Sequence, residues 1–67
     1  MGTLNLLMVA ELSSLDEEIA QLEAMNEKRQ DERILQVINE RKRERIAFES
    51  EMIDEGWSAS QVARRVA

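Results

Sequence analysis

The sequence predicts an all-α chain: a short N-terminal helix, a long coiled-coil-forming helix and a short C-terminal helix in a helix-turn-helix hairpin, associated as a dimer or higher oligomer. Three observations predict it. Proline is absent and the two glycines stand at positions 2 and 56, so no strong helix breaker lies between them. That interval is rich in Leu, Ala, Glu, Gln, Lys and Arg, all good helix formers, with one Phe and one Trp in the whole chain. Finally, 67 residues is near the lower limit for burying a core alone. With no Cys for a disulfide and no Cys or His for a zinc site, a partner chain is the remaining source of stability. Residues 1–67 are therefore read as a single helical oligomerisation module.

The first element spans 4–12, with Thr3 as its N-cap. Leu4, Leu6, Leu7, Met8, Val9 and Leu12 make it apolar nearly all round. A helix this short is marginal in isolation, so it must be covered, and a second copy is the simplest cover.

The second element spans 15–55. Ser14 with Glu17 forms a capping box, the hydroxyl accepting from the N3 amide while the glutamate reaches back to the cap amide. Asp16, Glu17 and Glu18 then set negative charge at the positive end of the helix dipole. No stop follows until Gly56, which suits the left-handed position after a helix C-terminus. The result is a rod roughly 60 Å long at about 1.5 Å per residue. The alternative is a hairpin bending near Asn26–Asp31, but no Gly, Pro or Asn-Gly marks a turn there.

Along the rod, Leu12, Leu15, Ile19 and Leu22 alternate at three- and four-residue spacings, a coiled-coil seam on which Asn26 is the next position. Beyond Asn26 the seam slips by four residues to Ile34, Val37 and Phe48, a stutter. Between these, "NERKRER" (39–45) sets Arg41 and Glu44 on the seam. It reads as a loosely packed stretch, solvated or hinged.

The third element spans 59–66. Ser58 with Gln61 makes another capping box, and Trp57 can staple onto Val62. Val62 and Val66 share a side that folds back on Phe48, Met52 and Ile53. Two interfaces are thus expected: a head from Leu4, Leu7, Met8, Leu12, Leu15, Ile19 and Leu22, and a tail from Phe48, Met52, Ile53, Trp57, Val62 and Val66. Ser14, Glu17, Gly56, Ser58 and Gln61 are the capping residues.

Charge narrows the function classes. The net charge is −5, unfavourable for gripping phosphates. Residues 1–32 carry eight acids against Lys28 and Arg29, a net of −6, whereas residues 33–67 carry seven bases against six acids, a net of +1. The two halves can attract each other, or simply be solvated. A nucleic-acid site at Arg41, Lys42, Arg43 and Arg45 is weakened by the interleaved Glu40 and Glu44 and by the lack of stacking aromatics. "EGWSASQVARR" reads like the start of a DNA-binding helix-turn-helix, yet no recognition helix follows it. The expectation is no direct nucleic-acid binding by this chain. The apolar run Leu6–Ala10 is too short for a membrane span or a secretion signal, so no membrane and a cytoplasmic location are expected.

Catalysis has little to work with. Without His or Cys, a serine nucleophile has no obvious base. The consecutive acids 16–18 point in different directions round a helix, and no phosphate-cradling or calcium loop is present. No catalytic residue, cofactor or metal site is expected, and the chain does not read as an enzyme.

The layout as a whole resembles the oligomerisation region of the histone-like nucleoid-structuring (H-NS) family. The resemblance runs from about Leu4 to Val66. It is carried by Ser14-Leu15-Asp16-Glu17 with Leu22-Glu23, by "NERKRER", and by Met52-Ile53 through Glu55-Gly56 to Gln61-Val62. It implies head-to-head and tail-to-tail self-association, possible mixing with related family members, and filaments on DNA that silence transcription through a separate DNA-binding domain in the bacterial nucleoid. This sequence departs from the family in showing no linker or basic domain after Ala67. The expectation is then a piece of such a silencer or a truncated form that antagonises its filaments. The rival reading is a dimeric coiled-coil adaptor that binds a single host protein and has no link to DNA.

Overall fold

The computed structural model describes residues 6–65, which form three helices: α1 Leu6–Arg29, α2 Glu32–Asp54 and α3 Ala59–Arg64. Helices α1 and α2 lie antiparallel as a hairpin, with α3 folded over its open end, in a body of 47 × 17 × 16 Å. Leu4 and Val66, and the proposed Thr3 cap, lie outside the described residues.

The expected break between a helix over 4–12 and another over 15–55 is not there. Helix α1 runs straight through Ser13 and Ser14, so Ser14 and Glu17 are interior residues and not a cap. The physical reason is the burial that flanks them. Leu12 and Ile19 are fully covered on one face, and holding both there requires an uninterrupted helix. Two interior serines cost only about 0.5 kcal/mol each.

The continuous rod over 15–55 is also corrected. The chain reverses at Gln30–Asp31 without glycine or proline. Asn26 supplies the turn chemistry: its carbonyl accepts from the Gln30 N–H at 2.7 Å, and its side-chain oxygen accepts from the Asp31 N–H at 3.1 Å. Asp31 then caps α2, its carboxylate accepting from the Arg33 N–H at 2.9 Å. Gln30 takes a left-handed φ of 46°, which for a residue with a Cβ costs about 1–2 kcal/mol. Closing α1 onto α2 offsets that cost.

The end of α2 needs its glycine. Gly56 sits at φ 114°. Its N–H donates to the Ile53 carbonyl at 3.0 Å, and the Trp57 N–H donates to the Met52 carbonyl at 3.1 Å. These two bonds make a Schellman motif, and Trp57 and Met52 form the apolar contact that accompanies it. Helix α3 then starts from a reciprocal box: the Gln61 N–H donates to Ser58 Oγ at 3.1 Å, and the Ser58 N–H to Gln61 Oε1 at 2.9 Å. Six residues cannot hold a helix alone, so this box and the Trp57–Val62 staple are what keep α3 formed.

Candidate functional site

The main core cluster joins both ends of the chain. Leu12 from α1, Met52 from α2, Trp57 from the connection and Val62 from α3 are each no more than 3% exposed, with Met8, Val9 and Phe48 packed around them. The sequence assigned Met8 and Leu12 to a head and Phe48, Met52, Trp57 and Val62 to a tail, at opposite ends of a rod. Folding the rod in half brings them together in one chain. Ile19 and Ile38 are buried further along the same helix pair. Ile38 was missed from the sequence because the neighbouring Val37 was placed on the seam. Its spacing of four from Ile34 was the available signal.

Leu15 and Leu22 are half-buried beside this stripe. Leu7 and Ile53 are exposed, and so are Leu6, Met25, Leu35 and Ile46. Leu35, Ile46 and Ile53 stand three turns and then two turns apart, so they line up on one side of α2 as a broken apolar stripe, with Asn39, Lys42 and Ser50 between them. It lies about a quarter-turn round the helix from the face turned to α1.

The segment 39–45 has no buried residue, as expected of a solvated stretch between two contact zones, and it is continuous helix, not a hinge. Arg41 Nε donates to Glu18 at 2.9 Å, Lys42 meets Glu23 at 3.3 Å, and Arg45 meets Asp16 at 3.2 Å. The acidic first half and basic second half of the sequence therefore attract within the chain, across α1 and α2. Arg41 also holds Glu44 at 3.1 Å on its own helix. The Glu18 carboxylate, and then Glu44, hold the Arg41 guanidinium further toward its charged form.

Arg65 ties all three helices. Its Nε and Nη2 donate to the two Asp16 oxygens at 2.8 and 3.1 Å, and its Nη1 to Glu49 at 2.8 Å and to the Val62 carbonyl at 2.6 Å. A fork on both oxygens of a carboxylate is the strong form of this pair. It holds the Asp16 carboxyl below the usual range against an opposing effect of burial, with Arg45 adding to the depression. Arg65 is raised in turn, chiefly by Asp16. Arg65 takes a left-handed φ of 54° at the α3 C-terminus to make these contacts.

The indole Nε1 of Trp57 is buried with no acceptor among the described residues. A cleft of about 370 Å³ at the turn is lined by Asn26, Glu27, Gln30, Asp31, Glu32 and Leu35, an acidic and largely surface-like set. Among the described residues no three acidic side chains gather as a metal would require, and no helix is long and apolar enough to cross a membrane. No family model, curated protein or solved structure matches this chain.

Proposed function

We propose that this chain is a self-association module whose copies meet along the outer face of α2. The observation that carries the reading is the stripe of Leu35, Ile46 and Ile53, which are 46%, 66% and 47% exposed in a molecule this small. Six apolar side chains are fully buried in the described residues, a thin core for a folded domain. Covering a second stripe is the direct way to add to it, and a second copy presents an identical stripe that pairs about a two-fold axis.

The H-NS resemblance extends this reading. The module would join DNA-binding domains into silencing filaments in the bacterial nucleoid, or antagonise such filaments where those domains are missing. Its support is the order and spacing of the quoted segments. One structural fact favours the adaptor as a second reading: Leu12, Met52, Trp57 and Val62 cover one another, which leaves the α2 stripe as the larger free apolar face. A host protein could occupy that face alone.

The test is light-scattering mass across a wide concentration series, for the native chain and for Ile46→Glu. Self-association along this face predicts a mass rising above monomer that Ile46→Glu lowers at every concentration, with helix content unchanged. A native chain that stays monomeric throughout refutes the reading and leaves the adaptor.

A further inference from the structure

We propose that the hairpin opens at Gln30–Asp31 and that two copies exchange their α2–α3 halves, giving an antiparallel pair of continuous rods. The same core and ion-pair contacts are then made between chains instead of within one. This rests on the self-association reading and adds a mode of association centred on the turn.

Three observations converge there. The first is strain. Gln30 is exposed, is not glycine, and holds φ at 46° with the Asn26 bonds and the Asp31 cap beside it. A straight helix returns Gln30 to an ordinary conformation, and short strained hinges favour exchange.

The second is phase. On α1 the inward positions are Leu12, Leu15, Ile19, Leu22 and Asn26, and on α2 they are Ile34, Ile38, Arg41, Arg45 and Phe48. Each set advances by three or four residues. From Asn26 to Ile34 is two further steps of four, passing through Gln30. At about 100° per residue, one uninterrupted helix sets the centres of the two halves about 80° apart, so the stripe widens and winds round the rod as it passes Gln30.

The third is symmetry. Asp16 and Arg45 lie equally far from the bond joining residues 30 and 31, and Glu18 and Arg41 match it to within one residue. A two-fold axis through that bond sets α1 of one rod against α2 of the other in the register the hairpin already uses. Asp16–Arg45, Glu18–Arg41 and Asp16–Arg65 each form twice, between chains. Met25 and Leu35, about half-exposed near the turn, move to the middle of the rod pair. Because the contacts are shared, the balance between forms is set by hinge strain and protein concentration.

The chain has no cysteine, so Glu11→Cys and Glu51→Cys give clean attachment points at exposed positions. The doubly spin-labelled chain is co-refolded with excess unlabelled chain, and the distance within the labelled chain is read by pulsed electron paramagnetic resonance in the dimer fraction. In a closed hairpin the labels lie within about 20 Å, one helix separation plus the label arms. In a continuous rod they lie about 60 Å apart. The long distance is the expected result. A short distance in a genuine dimer overturns exchange while leaving self-association standing, and a chain that is monomeric at every concentration overturns both. A second variant, Gln30→Gly, relieves the strain and weakens the straight helix. It should raise the dimer dissociation constant at least about 25-fold, fivefold for each of two hinges. An unchanged constant overturns the proposal.

Discussion

Leu12→Ala should cost about 3 kcal/mol and should be felt at Trp57, near the other end of the chain. Leu12 is fully buried and shares its cluster with Met52, Trp57 and Val62. Truncating a buried leucine costs about 2–5 kcal/mol, the spread reflecting how far the site collapses into the hole. Here the lid over the site is the six-residue α3, which can settle inward, so the lower half of that range applies. A chain this size has a total stability of roughly 3–10 kcal/mol. A third or more of it would go. The assay is urea unfolding at one fixed low protein concentration, followed by far-ultraviolet circular dichroism and by emission of the single Trp. Both midpoints should fall by about 2–3 M at an m-value near 1 kcal/mol/M. Leu35→Ala, on the outer stripe, is the control and should move them by less than about 0.5 kcal/mol. If Leu12→Ala shifted stability by under 1 kcal/mol and left Trp57 emission untouched, Leu12 would not lie under Trp57 and the closed hairpin would be wrong.

Gly56→Ala should destabilise by about 1–2 kcal/mol in the same urea assay, because φ at 114° is open to glycine and closed to a residue with a Cβ; a neutral result would remove the Schellman stop. Asp16 has its pKa depressed by Arg65 and Arg45, so its contribution is fully present above the unfolded carboxylate value near 3.9 and is lost as pH falls through the lower folded value. Unfolding midpoints between pH 5 and pH 2 should therefore fall less steeply for Asp16→Asn than for the native chain, and parallel curves would show that the Arg65 fork adds nothing. Trp57→Phe should cost less than the lost area alone implies, since it also removes a buried N–H that has no acceptor among the described residues. A loss above about 3 kcal/mol would mean that the indole N–H does find a partner.

What the sequence made legible was the local chemistry. The Gly56 stop, the Ser58–Gln61 box and the Trp57–Val62 staple each depend on residues within one turn of one another, and each has a fixed spacing that can be read directly. The all-helical class followed from composition. The hairpin was not legible, because its turn carries no dedicated residue: Asn26 acts through a side-chain acceptor, and Gln30 takes a conformation its type disfavours. What closes the hairpin is non-local. Arg41 looked like a defect in a seam until Glu18 was set opposite it, and Arg45 gains Asp16 in the same way. Ser14 misled for the converse reason, a complete capping pattern overridden by burial of Leu12 and Ile19 on either side of it.

That failure has a physical content of its own. A helix with no turn signal near residue 30 reads as a rod, and the same helix closes on itself when the chain turns there. Rod and hairpin satisfy the same buried stripe and the same charge pairs, so the packing residues cannot discriminate between them. Only the turn can, and its energy is a small difference between the strain at Gln30 and the two caps that Asn26 and Asp31 supply. A glycine at position 30 would have fixed the hairpin, and a helix-favouring pair at 30–31 would have fixed the rod. This chain has neither, which leaves the choice open to concentration. If the outer α2 stripe also binds a second copy, each opened chain carries two separate two-fold contacts. Such contacts propagate into an open assembly where either one alone would stop at a dimer.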